Sequence, residues 1–268
     1  MEPLPATAPV SASPPPATTA QGADELVSPP GRPLVSVAIV ALNAKATIER
    51  AIRSVLDQRS SHTELIVVDG ASTDGTLDVI RELALWPGRW ISEPDRGIYD
   101  AMNKALAMAR GDWLMFLGAD DELLAPIDEL VGFFSDPRAV YYGDVEIRHS
   151  GALSGGRFSA YRLMQQNICP QALFYPRAIY SQRRYDMTCG MLADHKYNLE
   201  VWGGGTPFVY LDRRISRFDD RGVSAGGDPR FEAIKLATIR ESFGMPMYLL
   251  KRCRTTAVRL LKPRHGTA

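Results

Sequence analysis

DWLMFLGADDELL, residues 112–124, closes an apolar run from Trp113 to Leu117 on two adjacent aspartates, Asp120 and Asp121. Three earlier stretches share the arrangement: VSVAIVALN at 35–43, ELIVVDGASTDGT at 64–76 and ISEPDRGIYDAMNKA at 91–105. Buried parallel strands read as near-continuous Val, Ile and Leu runs, and open α/β sheets bind ligands beyond the carboxyl ends of their strands. Asp69, Asp74, Asp120 and Asp121 are therefore expected along one sheet edge. An edge so acidic suits an anion that arrives with a divalent cation, which points first to a nucleotide-using enzyme.

Helical periods fill the gaps between these runs. Ile48, Ile52, Val55 and Leu56 predict one face of a helix over Ala46–Gln58, and Ser72, Thr73 and Asp74 are N-cap residues for a helix over Thr76–Leu85. A third helix is expected from Ile98 to Ala109, ended by Gly111. Strand and helix alternating in this way predict a mostly parallel sheet with right-handed crossovers. Beyond Leu123 the pattern loosens. Helices are expected near Ile127–Phe134, Ala193–Trp202 and over most of Pro229–Leu261, with strands at Ala139–Ile147 and Phe208–Ile215. The Gly/Ser-rich HSGALSGGRFS, 149–159, is expected to be a flexible loop, and RFDDRGVSAGG, 217–227, a mobile one able to close over a ligand.

The 268 residues suffice for one sizeable core. Thirty-one basic and 31 acidic residues balance, so no net field draws the chain to nucleic acid. Cys169, Cys189 and Cys253 form no C-x-x-C spacing, which fits a reducing cytosol and neither a disulfide framework nor a zinc site. No apolar run of eighteen residues and no secretory leader are present, so a cytoplasmic protein is expected. Residues 1–33 hold nine prolines and few large apolar side chains, the composition of a disordered arm. We therefore expect three parts: that arm, a catalytic domain over 34–227, and a basic amphipathic helical segment over 228–268. In the last part Lys251, Arg252, Arg254, Arg259, Lys262 and Arg264 interleave with leucines and no acid, as suits either packing on the domain or peripheral contact with an anionic membrane.

VSVAIVALNAKATIERAIRSVLDQ, ELIVVDGASTDGT, SEPDRGIYDAMNKALAMARGD and FLGADD, in this order, resemble the family 2 glycosyltransferases, in particular their bacterial surface-polysaccharide branch. The resemblance covers roughly residues 35–202. It implies a GT-A fold, a nucleotide-sugar donor (a UDP-sugar), Mg²⁺ or Mn²⁺, and inverting transfer to a lipid-pyrophosphate-linked or growing cell-surface glycan. An alternative is a non-catalytic nucleotide-sugar-binding subunit of such a pathway, and a sugar-phosphate nucleotidyltransferase is disfavoured because Ala-Leu-Asn-Ala stands where its Gly-rich loop would be.

Two adjacent carboxylates about 4 Å apart repel by roughly 4 kcal/mol at an effective dielectric near 20, which a cation relieves. Asp120 and Asp121 are thus the expected metal residues, with Asp120 also toward the donor. The family commonly shows D-x-D-D there, and Gly118 replaces its first acid. By the same resemblance Asp69 would accept an N–H of uracil, Ala41, Leu42 and Asn43 would line the base pocket, and Asp100 would contact the donor at the opening of the third helix. Asp194, at the start of LADHKYNLEVW, is the implied base that deprotonates the acceptor, with His195 second. ICPQALFY, 168–175, resembles an I-C-H-Q stretch with Pro170 replacing histidine, and Cys169 reads as a small buried hydrophobe.

Overall fold

The computed structural model describes residues 18–21, 35–83, 88–220 and 229–261. The four apolar runs become strands β2 (Val35–Ala41), β3 (Thr63–Asp69), β4 (Gly88–Ser92) and β5 (Trp113–Gly118), preceded by an edge strand β1 (Thr18–Gln21). Between them stand α1 (Ile48–Leu56), α2 (Thr76–Leu83) and α3 (Ile98–Met108). β4, β3, β2 and β5 lie side by side in parallel register, with Val40 opposite both Val68 and Gly118. The α/β class is as expected. The second half of the sheet is mixed: β9 (Leu173–Pro176) runs antiparallel to β5 and to β7 (Val140–Ile147), and β7 pairs in parallel with β10 (Phe208–Phe218). A two-residue strand, β6 (Glu122–Leu123), pairs with the end of β10.

Strand alternation divides the core into two layers. Val35, Val37, Ile39, Leu65, Val67, Met115 and Leu117 face α1, α2 and the short α4 (Ile127–Leu130). Ala38, Ile66, Val68, Leu114 and Phe116 face α3 and α7 (Ala193–Gly203), where Ala101, Met102, Ala105, Leu199 and Val201 meet them. Near the amino ends of the strands one buried acid is fully engaged. Glu64 accepts from Ser36 Oγ at 2.5 Å, from the Arg110 amide at 2.6 Å and from Arg89 at 3.0 Å. This pairing lets a carboxylate sit in the core without leaving a bare charge.

Two departures from the sequence reading have physical causes, and one alternative left open there is filled. Thr18–Gln21, inside the arm expected to be disordered, pairs antiparallel with β4 and covers its open edge; the rest of that arm lies outside the described residues. The stretch 149–159 is pinned rather than loose: β8 (Leu153–Ser154) pairs with β7, the Gly156 amide donates to Asp144 at 2.5 Å, and the Phe158 amide donates to Tyr142 at 2.8 Å. The last helix, α8 (Pro229–Leu261), packs on the domain through its first half: Ile239 is buried with the α7 layer, and the buried Phe231 ring stands 5.5 Å from that of His195. α8 breaks at Gly244, whose φ of 79° suits glycine, two residues before Pro246. Two further short helices, α5 (Ala160–Leu163) and α6 (Arg177–Tyr180), complete the described elements.

Candidate active site

β2 is followed to one side by β3 and to the other by β5, so the strand order reverses at its carboxyl end, where such sheets open a ligand crevice. The loops leaving β2 and β3 form one floor. Asn43, at φ 51°, accepts the Thr73 amide at 3.0 Å through its side chain, while its own amide donates to Ser72 Oγ at 2.7 Å. Asp74 accepts from Thr76 Oγ1 at 2.5 Å and from the amides of Thr76 and Lys45, both at 3.0 Å, and these bonds, the hydroxyl first, hold its carboxyl below the usual range. Ala41 is buried and its carbonyl accepts the Gly70 amide at 2.9 Å; Leu42 stands exposed above it.

Asp69 does not face this crevice. It is 0% exposed, and its carboxylate accepts from Ser72 Oγ at 2.5 Å, from the Ser72 amide at 3.1 Å and from Ser92 Oγ at 2.6 Å. A strand-end acid beside two serines is engaged by the turn that it holds, whereas its expected role was to accept from the base. The acid at the rim is Asp95, three residues before α3. A Cβ added at Gly70 would stand 3.1 Å from Asp95 Cγ and 3.3 Å from Leu42 Cδ1, so the missing side chain opens the space between them. Asp69→Ala is expected to lower stability by about 2–3 kcal/mol, since it strands buried donors. A urea melt checks this, and an unchanged midpoint with lost nucleotide affinity would return Asp69 to the base pocket.

Asp100, expected to contact the donor, is engaged by its own helix start. Its carboxylate accepts the Arg96 amide at 3.0 Å and the Arg96 guanidinium at 3.3 Å, and this pairing holds it below the usual carboxylate range. It closes the first turn of α3 instead of reaching out. Asn103 and Lys104 are likewise engaged within the fold, with the Tyr185 backbone and with Glu93.

The turn after β5 separates its two aspartates. Asp121 is 0% exposed and accepts the amides of Gly118 at 3.0 Å and Asp219 at 2.9 Å, so it shapes the turn; burial pushes its carboxyl up to about 6. Asp121, expected as a metal ligand, thus has both oxygens engaged by backbone amides in this fold. Asp120 is partly exposed, and burial followed by the nearby Asp219 charge raises its carboxyl above the usual range. Its backbone carbonyl accepts from Arg50 at 2.9 Å and Arg148 at 3.2 Å. Gly118 admits no larger residue without rearrangement, because a Cβ there would stand 2.8 Å from Asp120 Oδ1.

The sequence reading missed a neighbour of this turn. The parallel β7–β10 pairing carries His149 and Asp219–Asp220 together, with His149 Nδ1 2.6 Å from Asp220 Oδ1 and 3.8 Å from Asp219 Oδ1. One ligand atom from each of the three lies within 4.8 Å of the others. Oxygen-rich donors with one imidazole suit Mn²⁺ or Mg²⁺, and a cation there would relieve the charge that Asp219 places on Asp120. The adjacent acids after a strand, in RFDDRG, were the available signal. The expected closing loop itself falls mainly on 221–228, outside the described residues.

A cavity of about 270 Å³ runs from Gly118 to Asp194. Asp194, in the first turn of α7, accepts from Tyr99 Oη at 2.8 Å and from Asn167 Nδ2 at 2.7 Å, and burial raises its carboxyl above the usual aspartate range. It is the sole carboxylate among the described residues lining that cavity. His195 points away: its Nε2 lies 2.6 Å from the Leu163 carbonyl, and burial with the Lys235 charge lowers it to about 3, a neutral packing ring. The Cys169 thiol is pushed up to about 12 by burial, consistent with a hydrophobe and not a nucleophile.

The model of the family described as glycosyl transferase family 2 matches residues 36–196, more than half of the chain. The chain belongs to that family. Among the relatives of this family 2 glycosyltransferase is the PGL/p-HBAD biosynthesis glycosyltransferase of Mycobacterium tuberculosis (strain ATCC 25177 / H37Ra), 37% identical over 180 residues, or 63% of this chain and 70% of the relative. An uncharacterized glycosyltransferase of M. tuberculosis (strain ATCC 25618 / H37Rv) is 33% identical over 214 residues, 74% of this chain and 79% of the relative. Among solved structures, S. aureus TarS 1-349 in complex with UDP-GlcNAc aligns at TM-score 0.64 and 17% identity, over 77% of this chain and 66% of that one. The mannosyltransferase PcManGT from Pyrobaculum calidifontis, in complex with GDP-Man and Mn2+, aligns at TM-score 0.54 and 18% identity, over 87% of this chain and 82% of that one. The family 2 glycosyltransferase thus has the GT-A fold expected of it.

Proposed function

We propose that this glycosyltransferase is an inverting, divalent-metal-dependent enzyme that moves a sugar from a UDP-sugar to a lipid-linked or growing cell-surface glycan. The observation that carries the reading is a cavity that runs from Gly118, at the base of the acidic turn, to one partly buried carboxylate, Asp194. The PGL/p-HBAD relative and the UDP-GlcNAc-bound neighbour support the glycan and donor classes.

In this reading Leu42, Asn43 and Asp95 border the base, and the Asp95 carboxylate, an acceptor only, meets a ring N–H. Asp120, with His149, Asp219 and Asp220, would hold Mn²⁺ or Mg²⁺. The bound ion would offset negative charge on the departing diphosphate. The sugar occupies the cavity between this group and Asp194. Asp194 takes the proton of the acceptor hydroxyl as that oxygen attacks the anomeric carbon from the side opposite the nucleotide. The bond to the diphosphate oxygen breaks in the same displacement, which inverts the centre. A double displacement would need a second carboxylate as nucleophile, and Asp194 stands alone among the described lining residues.

Calorimetric titration with UDP, GDP and dTDP, each with Mn²⁺ and with EDTA, tests the donor site. UDP binding that weakens at least tenfold in EDTA is expected. Preference for GDP would change the donor, and binding of none would favour the non-catalytic alternative.

We also place the enzyme at the cytoplasmic face of a membrane. Among the described residues no helix is long and apolar enough to cross one. Met245, Leu249 and Leu250 are exposed on α8 beside exposed Arg252 and Arg254. Lys251, counted with that basic set from the sequence, instead turns inward and donates to Gln165 at 2.9 Å. Arg259 has no described side chain, and Lys262 and Arg264 lie outside the described residues. Sedimentation with anionic vesicles should carry the protein down, less so for Leu249→Glu/Leu250→Glu. Protein left in the supernatant with such vesicles would sink this placement.

A further inference from the structure

Behind Asp194, away from the cavity, a buried polar chain crosses the layer between α7 and β9. Tyr175 Oη donates to Asn198 Oδ1 at 2.6 Å, Asn198 Nδ2 donates to Asn167 Oδ1 at 2.8 Å, and Asn167 Nδ2 donates to Asp194 Oδ2 at 2.7 Å. Asn198 and Tyr175 are 0% and 1% exposed, and neither lines the cavity that Asn167 and Asp194 line. Asn198 follows Asp194 by one helical turn, at a position surrounded by Tyr197, Leu199 and Val201 that packing alone would fill with an aliphatic side chain. A polar group kept there needs its partners, because a buried amide without them loses its hydration with nothing in return.

The chain has a direction. An amide offers a donor at one end and an acceptor at the other. The phenol proton of Tyr175 meets the oxygen end of Asn198, so the nitrogen end faces Asn167. That in turn leaves the nitrogen of Asn167 for Asp194. Reversing Asn167 would point a carbonyl at the carboxylate and push it off its position. We propose that Tyr175 and Asn198 are positioning residues for Asp194, setting through Asn167 which end of an amide the base meets. The proposal rests on the reading of Asp194 as the base. The titratable groups facing Asp194 are Tyr99 from α3, Cys169 from the turn before β9, Tyr175 from β9 and Tyr185 from the segment before α7. Burial raises each of them, so all stay neutral across the working range and leave Asp194 as the titrating group.

The test uses the full chain with donor, Mn²⁺ and an acceptor glycan that it turns over. Asn198→Leu should lower kcat about tenfold and Tyr175→Phe by less, with donor KM and UDP affinity unchanged, as expected for a misplaced base. The acidic limb of the kcat profile should move to higher pH, since a lost N–H donor disfavours the ionised carboxylate. In an Asp194→Asn background neither change should reduce the residual rate further. Full kcat in both single variants, while Asp194→Asn is inactive, overturns the proposal; so does an undiminished loss in the Asp194→Asn background. Full kcat in Asp194→Asn overturns the base reading instead. If Asn198→Leu fails to fold, Tyr175→Phe, which keeps its ring against Tyr197, decides alone.

Discussion

Asp194→Asn is expected to lower kcat by about 10²- to 10⁴-fold while UDP affinity stays within about twofold, because a positioned base acts on the chemical step alone. Asparagine keeps the shape and can still accept from Tyr99 Oη, but its NH2 would face the Asn167 NH2, so the unchanged UDP affinity is what separates a missing proton acceptor from a collapsed cavity. The pH profile of the parent enzyme has a sign fixed by the environment of Asp194. Its carboxyl is raised by burial, so it is protonated and idle at low pH, and kcat climbs with pH through an apparent pKa above the ordinary aspartate value of about 4. No basic limb comes from this group. Steady-state rates across pH 4–9 check the direction, and a profile that falls through that range would remove Asp194 from the role.

Asp120→Asn should be nearly as severe, with transfer reduced at least about 100-fold and metal-dependent UDP binding lost. A second readout separates ligand from scaffold. The Asp120 carboxyl is raised in the folded chain, so between the unfolded value and that raised value the native state binds the extra proton. Stability from this group therefore falls as pH rises through that window, and at neutral pH the ionised acid burdens the metal-free fold. Asp120→Asn should melt higher than the parent in EDTA at pH 7, yet gain little from added Mn²⁺. A variant that melts lower in EDTA and still responds to Mn²⁺ would place the ion elsewhere. Asp121, whose oxygens each take a backbone amide, should instead lose stability when shortened.

What could be read before the structure followed local rules. β2, β3 and β5 are dominated by apolar residues, and α1 and α3 have one apolar face, so period and composition agree there. The helix that carries Asp194 was legible through family resemblance, since α7 starts where the motif spacing places it. The errors arose where a side chain's partner is remote or small. Nothing in VVDGAS says that Ser72 and Ser92 will consume the Asp69 carboxylate. His149 and Asp220 are 71 residues apart and meet only because β7 and β10 pair in parallel. HSGALSGGRFS looks mobile by composition, yet Asp144 and Tyr142, both on β7, anchor it. Asp95 reaches the rim because Gly70 has no Cβ, an effect that only the fold reveals.

Tyr99 leaves α3 and ends between two acceptors of the other helix region, Asp194 Oδ1 at 2.8 Å and the Met191 carbonyl at 2.8 Å. One phenol thus fastens the donor-side helix to the start of α7. Fraying either helix end requires the same bond to break, so backbone amides in the first turn of α3 and of α7 should trade deuterium through a shared opening. The two walls of the catalytic cleft then behave as a single cooperative unit, and evolution cannot loosen one wall to admit a new acceptor without loosening the other.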